Sequence, residues 1–127
     1  TPHGVHPHNR SSYWFYMFRL DLERLTVSRD EFAETLRAEG IPCGSGYIPG
    51  PIYMESVFIN QSFFPGGVWP AQRIAGKTYE YGEGLCPVAE QVLQTAITLQ
   101  IKEFFTAEDI EAMGRGVRKV AKAFEKQ

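Results

Sequence analysis

The sequence has no long hydrophobic run, no large excess of one charge and only two cysteines, and each absence excludes a class of protein. No apolar run reaches the roughly 18 residues of a membrane-spanning helix, and residues 1–10 lack the apolar core of a signal peptide. Thirteen basic and fifteen acidic residues leave a net charge of -2, which disfavours binding to nucleic acid or to an anionic membrane by charge alone. Cys43 and Cys86 lie far apart, which favours two reduced thiols over a disulfide framework. We therefore expect a soluble, cytoplasmic protein.

What the sequence does contain is enough apolar material for one core. Its 127 residues are 43% hydrophobic and 13% aromatic, which is sufficient for a single globular domain over residues 1–127. The chain begins with Thr1 and enters an apolar run after about a dozen residues. We therefore expect a piece of a longer polypeptide, in which residues 1–10 are a linker.

Hydrophobic patterning predicts several strands. The aromatic run from Tyr13 to Asp21 predicts a long strand, and its two apolar faces are typical of a central position in a sheet. Alternation places Ile97, Leu99 and Ile101 on one face of a second strand. A third, short strand begins at Ile41 and runs into a loop rich in glycine and proline.

Capping signals predict the helices. Ser28 followed by Glu31 forms a capping box ahead of one helix, and Thr106 with Asp109 in the first turn starts another. Between them, the apolar spacing after a tolerated N-terminal proline predicts a helix over Pro87 to Ala96. The intervening residues 56–83 show no sustained period and predict a long irregular connection.

Together these elements predict the fold class α+β (α/β), with a small mixed sheet covered by helices. Gly114 and Gly116 each cost about 1 kcal/mol inside a helix, so their presence predicts close packing against another element.

Three motifs suggest chemistry but have simpler explanations. His3, His6 and His8 resemble a metal cluster, yet they lie in a proline- and glycine-rich terminus without a rigid frame, so their role stays open and we predict no metal site. The stretch from Ala71 to Thr78 fits a loose phosphate-loop pattern but lacks the preceding strand and the following helix, which favours coincidence.

Neither cysteine is expected to be a nucleophile. All three histidines crowd the N-terminus, so no base is near either thiol in sequence. Cys43 is expected to act as a small apolar packing residue, and Cys86, directly before Pro87, as part of a helix start.

The loop "GSGYIPGPIYMES" is the best candidate for ligand contact. Its glycines let backbone approach a ligand, and Tyr47 and Tyr53 offer hydroxyls on flat apolar rings. The alternative is a turn with two packed tyrosines, since loops carry sites but also simply connect elements.

Three phrases in this order resemble a known family. They are "SYWFYMFRLD", "SRDEFAETLRAEGIPCGSGYIPGPIY" and "CPVAEQVLQTAITLQIKEFFTAEDIEAMGRGVRKV". Over Ser11 to Phe124 they resemble the C-terminal small domain of the DegT/StrS sugar aminotransferases, which are pyridoxal-phosphate (PLP) enzymes of the aspartate aminotransferase fold. The resemblance implies a mainly antiparallel sheet, and a parent enzyme that transfers an amino group from glutamate or glutamine to a keto sugar or keto cyclitol.

The resemblance also implies what this chain does not supply. The family's PLP-binding lysine follows a Ser-x-x-Lys phrase in the large domain, and none of the five lysines here has that context. No catalytic, cofactor-binding or metal-binding residue is therefore expected in these 127 residues, and the chain alone should be inactive. The family's dimers imply that the parent enzyme is a homodimer.

The substrate class is the least specific part of the resemblance. Many members carry Tyr-x-Pro-x-His after the Gly-Ile strand; Tyr47 and Pro49 match, but Pro51 stands in place of the histidine. The phrase Pro51-Ile52-Tyr53 resembles the branch acting on aminocyclitol or aminobenzoate precursors, which implies Tyr47 and Tyr53 as substrate-binding residues. The alternative function is a stand-alone, non-catalytic binding or regulatory module with the same fold.

Overall fold

The structure, a computed structural model, describes residues 4–66, 74–77 and 79–127. These residues form two compact units, Thr1–Tyr47 with Gln94–Gln127 and, inserted between those segments, Ile48–Leu93. No helix among these residues is long and apolar enough to cross a membrane.

A three-stranded antiparallel sheet forms the centre of the first unit. In the part of the chain described, its strands are β1 (Phe15–Arg19), β2 (Cys43–Ser45) and β3 (Ala96–Gln100), in the order β1-β3-β2. Phe15 lies opposite Gln100, and Cys43 lies opposite Leu99. The expected sheet with helices is confirmed, and all its described pairings are antiparallel.

The helices are α1 (Arg29–Ala38), α2 (Ser56–Ile59), α3 (Pro87–Thr95) and α4 (Ala107–Phe124) among the described residues. Short 3-10 turns cover Leu22–Arg24 and Ile52–Met54. The capping box predicted for α1 and the N-cap predicted for α4 are both present, and α4 has a complete capping box as well. The Ser28 and Thr106 side chains accept from the N–H groups of Glu31 and Asp109.

The core of the first unit lies where α1 and α4 meet β3. Its buried residues come from all three elements and from the turn after α1: Phe32, Ala33, Leu36, Ile41, Ile97, Leu99 and Val120. Burying a side chain such as Leu36 or Ile97 stabilises the fold by roughly 1.5–3 kcal/mol. The predicted apolar alternation in β3 is confirmed at Ile97 and Leu99, while Ile101 follows the end of the strand and is partly buried.

The predicted central position of the first strand is wrong. β1 lies at an edge of the described sheet, and all five of its residues are half-buried, whereas β3 pairs on both sides. The strand also begins after Tyr13, whose left-handed φ of 49° does not allow extended pairing, and it ends at Arg19 rather than at Asp21. The aromatic residues of β1 provide apolar surface, but they do not determine which strand is central in the sheet.

Two other boundaries differ from the prediction. The apolar spacing predicted that Ala96 ends the helix, but Ala96 is the first residue of β3, where it pairs with Arg19. Pairing with β1 therefore determines the conformation of Ala96, although its spacing also fits a helix. The expected irregular connection contains a short helix, Ser56–Ile59.

The two helical glycines of α4 behave differently. A Cβ at Gly116 would lie 2.5 Å from Cδ1 of Ile41, so the prediction of close packing is confirmed there. A Cβ at Gly114 would meet only the Arg118 side chain, at an ordinary 3.6 Å, so close packing does not require that glycine.

Candidate functional site

Tyr47 belongs to a cluster of aromatic rings on the surface of the first unit. Its ring stacks on Phe15 with centroids 5.3 Å apart and an interplanar angle of 23°, and it meets the edge of Trp14 at 6.2 Å. Trp14 is 80% exposed and Tyr47 59% exposed. We refer to Trp14, Phe15 and Tyr47 as the aromatic platform.

The backbone beneath Tyr47 is held by the sheet. The Gly46 N–H donates to the Ala96 carbonyl at 2.8 Å, and Gly46 has a φ of +79°, a conformation that favours glycine. A Cβ at Gly44 would lie only 2.9 Å from the Thr98 hydroxyl oxygen, so that position also needs a glycine. Strand β2 therefore ends at Ser45, the chain turns at Gly46, and Tyr47, the next residue, is exposed.

The first turn of α1 carries an acidic side chain, Asp30. Hydrogen bonds from Arg29 and from the Ser45 hydroxyl hold the pKa of the Asp30 carboxyl below its usual value. Asp30 is therefore ionised at neutral pH, where it pairs with Arg29 at 2.8 Å.

An exposed platform of this kind suits a cyclic ligand with one apolar face. Large aromatic side chains exposed together are unusual on a soluble surface and mark interaction sites. The flat faces offer dispersion contact to a ring, while the Tyr47 hydroxyl provides a polar group at the rim.

Tyr53 lies in the second unit, where its hydroxyl is used in a local network. It donates a hydrogen bond to Oε1 of Glu90 and accepts one from the Cys86 N–H at 3.2 Å. Both carboxylate oxygens of Glu90 also accept from the Gly84 N–H, at 2.9 and 3.0 Å. The network joins the 3-10 turn at Tyr53 to the start of α3.

This network sets the protonation state of both side chains. Desolvation, followed by the hydrogen bond to Glu90, raises the pKa of Tyr53 to about 12. The same bond from Tyr53, with help from the N–H groups of Gly84 and Cys86, lowers the pKa of the Glu90 carboxyl. At neutral pH the pair is therefore a neutral phenol and a carboxylate, and Tyr53 acts as a hydrogen-bond donor rather than a base.

The two predicted substrate-binding tyrosines thus differ in their surroundings. Tyr47 is exposed on the platform of the first unit, whereas the hydroxyl of Tyr53, in the second unit, already donates once and accepts once, which leaves one lone pair for a ligand. The prediction of a substrate role for both residues stays a prediction.

Sequence reasoning missed the partners of both tyrosines. Phe15 and Trp14 were assigned only to a strand, and Glu90 only to a helix start. The signal for Glu90 was its place in the "CPVAE" phrase four residues after Cys86, but the pairing with Tyr53 spans 37 residues and has no local signature.

The cysteines and histidines form no catalytic arrangement among the residues described. Cys43 and Cys86 are free thiols. Cys43 is half-buried against the core, its thiol donates to the Ala33 carbonyl at 3.4 Å, and burial raises its pKa. This geometry agrees with the packing role expected from the sequence.

The N-terminal motif is seen only in part. The His8 N–H donates to Nδ1 of His6 at 3.4 Å, and both residues are exposed, while His3 lies outside the described residues. Within the described ranges no group of three potential metal ligands occurs. Of the stretch from Ala71 to Thr78, only residues 74–77 are described, and Lys77 among them is exposed.

Comparison with known proteins does not assign the chain to a family. No protein-family model matches the sequence, and no curated protein gives a significant match.

Proposed function

We propose that this chain is the substrate-side domain of a PLP-dependent aminotransferase that transfers an amino group from glutamate or glutamine to a keto sugar or keto cyclitol. The observation that carries the proposal is the platform: Tyr47, singled out by the sequence resemblance as substrate-binding, is exposed and stacked on Phe15 beside Trp14. The order of the three family-like phrases and the antiparallel sheet with helices also support it.

The residues of this chain do not themselves fit covalent PLP binding. A lysine that forms a Schiff base is activated in a desolvated pocket or beside another cation. The five lysines here are all exposed; Lys119 pairs with Glu39, and Lys126 donates to the Glu23 carbonyl. The proposal therefore assigns the cofactor to other parts of a longer, cytoplasmic and homodimeric enzyme, and assigns only substrate recognition to this domain.

Within the proposal the two tyrosines have different roles. The aromatic platform contacts the apolar face of the substrate ring, and the hydroxyl of Tyr47 contacts its polar rim. Within the second unit, Tyr53 links its 3-10 turn to the start of α3 through the hydrogen bond to Glu90.

The first experiment measures the intact mass of the native gene product before and after borohydride reduction in the presence of PLP. We expect a mass well above 14.4 kDa and a gain of one reduced cofactor. A native product of 14.4 kDa that gains nothing would refute the aminotransferase and favour the non-catalytic module.

A second experiment tests the platform in that longer enzyme. Tyr47→Ala should raise KM for the keto substrate about 3- to 10-fold, the loss expected when an aromatic contact is removed. Tyr47→Phe, which keeps the ring, should retain most of the affinity. Phe104→Ala removes another exposed ring of the first unit, 70% exposed, and should change nothing; an equal effect from this control would contradict a specific platform.

A further inference from the structure

A groove on the first unit combines an apolar floor with a cationic rim. Its volume is about 510 Å³, within the roughly 300–1,000 Å³ of small-molecule sites. The floor comes from β1, α1, α4 and the turn after β1, and consists of Phe18, Leu20, Leu25, Phe32, Val117 and Ala121. We call it the cationic groove; it shares no residue with the aromatic platform.

The charges at the rim are not balanced. Four cations, Arg19, Arg24, Arg118 and Lys122, stand against two acids, Asp21 and Glu125. Arg24 is paired with Glu125 at 2.7 Å, and Arg19 donates to the Thr95 hydroxyl at 3.0 Å. For Arg118 and Lys122, no ion pair with any described acid is present.

Arg118 and Lys122 are four residues apart on α4 and therefore lie on the same helix face. Like charges at this spacing repel each other, and an anion between them would relieve that repulsion. Both side chains also have apolar stems that extend the floor of the groove toward its charged rim.

A second groove on α4 provides the contrast. It is larger, about 680 Å³, and its charged residues are two acids, Glu39 and Asp109, and two bases, Arg115 and Lys119. Lys119 is paired with Glu39 at 2.7 Å. Charge therefore selects the cationic groove, and not this balanced one, for an anionic ligand.

We propose that the cationic groove binds a free small-molecule carboxylate with an aliphatic body, its chain lying on the floor and its carboxylate between Arg118 and Lys122. This site is separate from the proposed transamination and does not depend on it. The charge of the rim requires an anion, and the apolar floor requires a hydrocarbon body rather than inorganic phosphate alone.

The test measures binding of decanoate, below its critical micelle concentration, by calorimetry and by two-dimensional NMR of the labelled chain. We expect saturable binding, with chemical-shift changes at the amides of Leu25, Ala121 and Lys122. Decyltrimethylammonium, which has the same chain length and the opposite charge, should not bind. Absence of decanoate binding, or equal binding of both probes, overturns the proposal.

Matched variants distinguish an effect of the groove on decanoate binding from an effect of the protein's net charge. Arg118→Gln with Lys122→Gln should weaken decanoate binding about tenfold or more, as expected for loss of charge-assisted hydrogen bonds. Arg115→Gln with Lys119→Gln removes the same charge at the same spacing of the same helix but on the balanced groove, and should leave affinity unchanged. Equal weakening by both pairs would overturn the proposal.

A third variant fills the floor. Ala121→Leu adds apolar volume from α4 into the groove without deleting buried atoms, and leucine is a good helix former. It should abolish decanoate binding while the far-ultraviolet circular dichroism stays unchanged. Undiminished binding in this folded variant would show that the ligand lies elsewhere and refute the assignment.

Discussion

Replacing Gly116 by alanine should destabilise the protein, although alanine is the better helix former. The new methyl group would lie 2.5 Å from Cδ1 and 3.5 Å from Cγ1 of Ile41. Ile41 is only 5% exposed and belongs to the core, so its side chain has little room to withdraw. Overpacking of this kind costs about 1–3 kcal/mol, against a gain of about 1 kcal/mol in helix propensity. The net expectation is a loss of about 0–2 kcal/mol.

Gly114→Ala is the matched control on the same helix. It carries the same gain in propensity, but its Cβ would meet only the Arg118 side chain at 3.6 Å. This variant should stabilise the protein by up to about 1 kcal/mol. The two substitutions are chemically identical, so the difference between them, about 1–3 kcal/mol, isolates the contact with Ile41.

The assay is urea unfolding of both variants, with thermal unfolding as a second measurement at about 4 °C per kcal/mol for a chain of this size. Ile41→Val removes Cδ1 and should convert Gly116→Ala from destabilising to neutral or stabilising, with a coupling energy of about 1–2 kcal/mol. If both glycine variants shift stability equally, or if Ile41→Val gives no rescue, the argument from close packing is refuted.

Three further predictions concern the core and two hydrogen-bonded groups. Leu36→Ala, at a fully buried position, should lower the free energy of unfolding by about 2–5 kcal/mol. A loss in urea unfolding well below the lower end of that range would mean that the core is loosely packed. The Thr106 backbone and side-chain hydrogen bonds lower the pKa of Asp109 from 3.8, so its stabilisation is full above that unfolded value and is lost as pH falls through the lower folded value. Asp109→Asn should flatten stability against pH in that acid range, and an unchanged profile would contradict the capping role. The pKa of Tyr53 is raised from 10.0 to about 12, so its contribution to stability is full below pH 10.0 and is lost as pH rises toward 12. Tyr53→Phe should remove the most alkaline phase of the phenol absorbance titration. If that phase persists in the variant, it belongs to another tyrosine.

Local signals predicted the helices α1, α3 and α4, but not the short helix α2. The capping boxes at Ser28 and Thr106 join groups three residues apart, and both are present in the structure. Such bonds depend only on neighbouring residues, so they can be predicted from sequence. The burial of Ile97 and Leu99 was predictable for the same reason, since alternation along a strand is a local property.

Tertiary structure alone decided the order of the strands and the partners in the candidate site. An apolar run shows that β1 has surface to bury, but its edge position depends on pairing with β3, about 80 residues away in sequence. The aromatic platform and the bond from Tyr53 to Glu90 likewise join segments more than 30 residues apart. Tyr47 and Tyr53 were identifiable from their loop, whereas the stacking of one and the hydrogen bonding of the other required the folded chain, because long-range contacts are selected by the packing of the whole core and leave no pattern in the neighbouring sequence.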